Sequence, residues 1–180
     1  MKRIVQGTGE NLKLEFECPR DICYFDKHFY VLDQGALSVD RFTHDGDFCD
    51  SFYFNEPVAR VENPWSVRVS ENTMVLIDWQ QKILVFDLNM RLKCTIEQLN
   101  VLSMCFIRDN VSGGLHLFAH SENGDLKGYK LHDNEPEVIF NRNQSKLKIR
   151  SEFMLFSSNR KFVLSCGWSK AIAIVDIIKN

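Results

Sequence analysis

The chain has few of the residues that loosen a fold: among 180 residues there are only 9 glycines and 4 prolines. That composition excludes a low-complexity or disordered segment as the main feature. No apolar run approaches the roughly 18 to 20 residues that a membrane-spanning helix needs. The opening Met1-Lys2-Arg3-Ile4-Val5-Gln6-Gly7 has the basic residues of a signal peptide, but no apolar stretch follows them. A cytoplasmic protein with no membrane partner is therefore expected. The six cysteines, Cys18, Cys23, Cys49, Cys94, Cys105 and Cys166, form no C-x-x-C pair, and most sit inside apolar runs. There a thiol behaves as a small hydrophobe, so reduced and buried cysteines are expected.

Catalytic signatures are missing as well. The sequence contains no Ser-His-Asp order, nucleophile elbow, Walker loop or dinucleotide fingerprint. Cys166 has no neighbouring His or helix start to lower its pKa. His116 and His120 would share a metal on a helix, but on a strand they stand about 13 Å apart at roughly 3.3 Å per residue. They read as polar strand residues. Enzyme activity is not expected, and no cofactor or metal is implied.

What the sequence does contain is a succession of short runs rich in Val, Ile, Phe and Tyr, separated by turn residues. Leu92, Cys94 and Ile96 alternate with Lys93 and Thr95, as a half-buried strand demands. Turns are marked by His44-Asp45-Gly46-Asp47, Ser112-Gly113-Gly114 and Glu122-Asn123-Gly124-Asp125. No stretch carries a clean helical stripe.

The runs repeat. Phe29-Tyr30-Val31-Leu32-Asp33 is followed by Leu37 to Phe42, and Met74-Val75-Leu76-Ile77-Asp78 by Ile83 to Asp87. A weaker copy runs from His116 to Tyr129, and the last from Phe162 to Asp176. With Asp33, Asp78, Ser121 and Gly167 as equivalents, the steps are 45, 43 and 46 residues. A period of this length, with four short strands per copy, predicts an all-β propeller of about four blades, or part of a larger ring. The blades would span residues 18–62, 63–100, 101–147 and 148–180 of a single domain. Residues 1–17 would supply a closing strand, with Leu12 to Phe16 paired to Ala171 to Ile177. Asp33 and Asp78, at the ends of their strands, are expected to accept hydrogen bonds from turn amides.

The first copy runs from Pro19-Arg20-Asp21-Ile22 through Tyr30-Val31-Leu32-Asp33 to Phe42-Thr43-His44-Asp45-Gly46. It resembles an NHL repeat, and the copy opening at Asn63-Pro64-Trp65 resembles one too. The third and fourth copies depart, with Ser121 and Gly167 in place of the Asp. A WD-type blade has the same four strands. The NHL resemblance, to the propellers of TRIM-like ubiquitin ligases, implies RNA binding; no RING, B-box or coiled coil accompanies it here.

Charge is unevenly placed. Residues 141 to 180 carry eight Lys or Arg against Glu152 and Asp176, a net +6 that leaves −8 for the rest. The run from Asn141 to Arg150 reads as a loop leading into a blade, and Trp168-Ser169-Lys170 and Trp79-Gln80-Gln81-Lys82 read as turns on the same side. Arg142, Lys146, Lys148, Arg150, Trp168, Lys170, Trp79 and Lys82 are the candidate binding residues. Cations beside exposed aromatics suit RNA or an acidic peptide. The leading expectation is a non-catalytic scaffold that recognises a protein partner, with RNA binding as the alternative and self-association as a further outcome.

Overall fold

The computed structural model describes residues 16–54, 61–79, 82–98, 100–108, 113–132, 135–143, 153–157, 161–166 and 171–176. Side-chain surroundings are described only as far as residue 141. All regular structure in these residues is β. The first sheet comprises β1 (Pro19–Phe25), β2 (His28–Asp33), β3 (Ser38–Thr43) and β4 (Phe48–Tyr53). The second comprises β5 (Pro64–Ser70), β6 (Thr73–Asp78), β7 (Lys82–Asp87) and β8 (Leu92–Glu97). The third comprises β9 (Val101–Arg108), β10 (Leu115–Ser121), β11 (Asp125–Lys130) and β12 (Glu137–Asn143). The fourth shows three strands, β13 (Phe153–Ser157), β14 (Lys161–Cys166) and β15 (Ala171–Asp176). Each sheet is an antiparallel meander in chain order, one per copy of the repeat.

The connections follow the turn residues. Between β1 and β2, Asp26 and Lys27 both adopt positive φ, at 45° and 62°. This is the pairing a two-residue type I′ hairpin requires, and its twist matches that of the strands. Gly46 (φ 93°) and Gly124 (φ 89°) close the β3–β4 and β10–β11 turns, donating to Thr43 O and Ser121 O at 3.0 Å each. Without a Cβ they enter this region at no steric cost.

Two irregularities recur in all three four-stranded sheets. Along the first strand, one residue has no opposite number on the second: Arg20, Trp65 and Leu102. Along the fourth strand the same holds of Cys49, Lys93 and Ile139. Each is a β-bulge, which bends its strand and turns one side chain out of the ladder. The bulge at Cys49 explains why this thiol is exposed rather than buried, contrary to the expectation from its apolar neighbours. Cys18, which precedes β1, is exposed too, whereas Cys94 and Cys105 are buried. Cys23 is half-buried at the core's edge, and desolvation pushes its thiol up to about 12.

By compactness the chain divides into two units, Met1–Glu97 and Gln98–Asn180. In the first, the facing sides of the first two sheets form one core. Tyr30, Leu32 and Val39 meet Val67, Val69, Met74, Leu76, Leu84 and Phe86, with Phe54 and Val61 from the connecting chain. Removing each such side chain from water contributes about 1.5–3 kcal/mol. In the second unit, Gly128 stands on the ladder between Phe118 and Phe140, whose rings lie 5.9 Å apart. A Cβ there would fall 2.5 Å from the Phe118 ring, so the aromatic pair occupies the space the glycine leaves.

Of the expected closing pair, Leu12 to Phe16 with Ala171 to Ile177, residues 12–15 and 177 lie outside the described residues. Phe16 belongs to no strand, and its ring sits 6.1 Å from that of Phe42.

Candidate functional site

The repeat's aspartates stand where the strands turn. Asp33 is 1% exposed, and its carboxylate accepts from the amides of Glu17 (2.7 Å), Cys18 (2.8 Å), Gly35 (3.0 Å) and Ala36 (3.3 Å). Asp78 accepts from Asn63 (2.8 Å), Trp79 (2.9 Å) and Glu62 (3.4 Å). These amides leave the ladders at the sheet corners, and buried donors of this kind need an acceptor. The expected structural role of both residues is thus observed, and neither presents a free carboxylate for catalysis.

In the third sheet Ser121 holds the same place, and a neutral network replaces the carboxylate. Gln98 Nε2 donates to Ser121 Oγ at 2.7 Å, and the Tyr129 hydroxyl donates to Gln98 Oε1 at 2.6 Å. Burial pushes the Tyr129 hydroxyl up to about 12. The backbone corner is unchanged: Glu122 N donates to Asn100 O at 2.8 Å, as Trp79 N does to Asn63 O at 3.0 Å and Gln34 N to Cys18 O at 2.9 Å.

The Asp78 corner carries the candidate surface. Trp79 follows β6 directly, so its backbone is fixed by two hydrogen bonds while the residue as a whole is 66% exposed. The bulge residue Trp65 meets it edge-on, with ring centroids 6.3 Å apart and planes at 84°. Edge-to-face geometry is the favoured contact of two rings, and here it holds a large apolar ring against water. Lys82, across the ladder from Asp78, reaches Glu97 at 3.7 Å, so its ammonium has an acidic neighbour.

Of the eight residues proposed from sequence, the described structure brings together Trp79 and Lys82. Arg142 lies within β12, paired with Leu126, and not in a loop; the apolar run Val138-Ile139-Phe140 carries the strand past the polar residues that follow. Lys146, Lys148, Arg150, Trp168 and Lys170 lie outside the described residues. Two partners escaped the sequence reading. Trp65 is invisible as a surface residue because the bulge that frees it leaves no mark on the alternation. Asp21 is the other: it accepts from Ser66 Oγ (2.7 Å), Val67 N (2.9 Å) and Arg68 (2.7 Å), joining the first strands of two sheets. The 45-residue step makes Asp21 and Ser66 equivalent positions, and that was the available signal.

His116 and His120 both stand on β10, as expected of strand residues, and His120 is 1% exposed because it shares its face with the buried Phe118. Desolvation lowers its pKa to about 4. Its Nδ1 and the Oγ of Ser103, its cross-strand neighbour, are buried with no hydrogen-bond partner among the described residues. Among those residues, no group of three His, Cys, Asp or Glu is placed to hold a metal ion.

These features define an all-β protein built from repeated four-stranded antiparallel sheets. No family model matches the chain, and no curated protein is similar to it in sequence. Among solved structures it is similar to the computationally designed Ika4 protein, with a TM-score of 0.62 and 9% identity over 95% of this chain and 100% of that one. It is similar to the designed Ika8 protein (TM-score 0.61, 8% identity), covering 88% of this chain and 46% of that chain. It is also similar to BBS1N, solved in complex with ARL6DN (TM-score 0.61, 8% identity, 82% and 45% covered). The chain spans about half the length of the last two. At these identities the likeness is one of fold alone.

Proposed function

We propose that this chain is a β-propeller of about four blades, or part of a larger ring, and serves as a non-catalytic recognition module for a protein partner. Trp79 carries the reading. A tryptophan 66% exposed on a corner locked by Asp78 and braced by Trp65 is a rigid apolar anchor. Such residues dominate binding energy at protein interfaces, since they bury much area and lose little conformational freedom. That BBS1N, a structure of similar fold, was solved in complex with ARL6DN supports this reading. RNA recognition, the alternative implied by the NHL resemblance, needs cations left free for phosphates. Lys82, the described cation beside Trp79, faces Glu97 instead.

A photo-crosslinking residue at position 79 tests the reading. The expected capture is a protein, unaffected by nuclease and little changed by salt, and abolished when Trp65→Ala removes the brace. A captured nucleic acid, lost steeply as salt rises, would replace the protein reading with the RNA one.

A further inference from the structure

On the face of β1 that carries Ile22 and Tyr24, both side chains are 56% exposed. The repeat gives them counterparts. Ile22 lies across from Val31 and Tyr24 from Phe29, as Val67 lies across from Leu76 and Val69 from Met74 in the second sheet. There the counterparts are 0% and 6% exposed, packed in the core against Tyr30, Leu32 and Val39 of the first sheet. In the third sheet Met104, the counterpart of Ile22, is 0% exposed. The position is thus one that receives a neighbouring sheet, and in the first sheet two large apolar side chains stand there in water. Tyr24 and Phe29 extend the stripe, with rings 5.0 Å apart.

Charge points to the occupant. Residues 1–97 carry 11 Lys or Arg against 16 Asp or Glu, a net −5, while residues 141–180 are at +6. The one sheet with three described strands, β13 to β15, belongs to the basic segment. A second copy of this chain therefore offers a sheet flanked in sequence by the complementary charge. We infer that two copies associate, with the fourth sheet of each seated on the Ile22–Tyr24 face of the other. In this reciprocal arrangement the two copies form a two-fold dimer. It also fits a fold of this length that constitutes all of one designed protein but 46% of another.

Sedimentation equilibrium over a concentration series reads this directly. The unaltered chain should show twice the chain mass, with association weakened by salt. Replacing both residues, Ile22→Ser with Tyr24→Ser, should weaken dimerisation by about 100-fold or more, the equivalent of leaving two apolar side chains unburied. Both sites are exposed in the single chain, so circular dichroism and thermal unfolding should confirm an intact fold. A photo-crosslinker at position 24, in a mixture of light and isotopically heavy chains, should join residue 24 of one chain to residues 153–176 of the other. A monomer at every concentration, an undiminished dimer in the double variant, or crosslinks confined to single chains would each overturn the inference. Trp79→Ala should leave the dimer intact, which separates this surface from the partner-binding corner.

Discussion

The two units solve the same corner problem with different chemistry. In Met1–Glu97 the chain turns around carboxylates, Asp33 and Asp78, and a third acid, Asp21, ties one sheet to the next through Ser66 and Arg68. In Gln98–Asn180 the corresponding corner is neutral, made by Gln98, Ser121 and Tyr129, and the position of Asp21 is taken by Ser103, whose hydroxyl reaches no partner among the described residues. The backbone path is the same in both. What a corner requires is an acceptor for its amides; charge strengthens each bond but is not needed to define the turn.

If charge sets the strength, Asp33→Ala should be the most damaging change, since four amides lose one acceptor. Urea unfolding should show a loss of about 4 kcal/mol, against about 1 kcal/mol for Ser121→Ala. Asp33→Asn, which keeps an acceptor oxygen, should fall between them. Equal losses at Asp33 and Ser121 would break the comparison.

The second unit should be the acid-sensitive one. The folded-state pKa of His120 is depressed from 6.5 to about 4, so the native protein holds the ring neutral while the unfolded chain protonates it. The stability this gives is fully present above pH 6.5 and is lost as pH falls towards 4, by up to about 3 kcal/mol. The positions equivalent to His120 are Leu32 and Ile77, both fully buried. His120→Leu should therefore flatten the stability profile between pH 6.5 and 4 without loss at neutral pH. An unchanged profile would place the acid sensitivity elsewhere.

A smaller effect sharpens the contrast between the two inter-strand positions. Asp21 and Arg68 have side chains 17% and 21% exposed, so removing the acid leaves a largely desolvated cation. Asp21→Ala should cost about 2 kcal/mol, and much of that should vanish in an Arg68→Ala background. Ser103→Ala, which removes a hydroxyl with no partner among the described residues, should be neutral or slightly stabilising.

Strand positions and corners were largely legible in the sequence because both rest on local rules. Alternation marked β8 at Leu92, Cys94 and Ile96, and the recurrence of Asp33 at Asp78 marked the corners. What depends on a neighbouring sheet was not legible. Nothing local says that Asp21 will meet Arg68, or that His120 lies on a face with Phe118 that is buried. Bulges escaped for a different reason, since one inserted residue leaves the composition of a strand unchanged. The basic group from Lys146 to Lys170 rested on charge counting, which locates a field but not a geometry.

The bulge along the first strand of each four-stranded sheet has a further consequence. Arg20, Trp65 and Leu102 occupy the same place in three sheets, yet one is a cation, one an aromatic and one an aliphatic. Because the ladder is continuous on either side without them, their identity is uncoupled from the register that folds each sheet. They act as interchangeable lettering on a fixed template, open to rewriting one repeat at a time, so that the side chain presented at each bulge can change while the register that folds the sheet is kept.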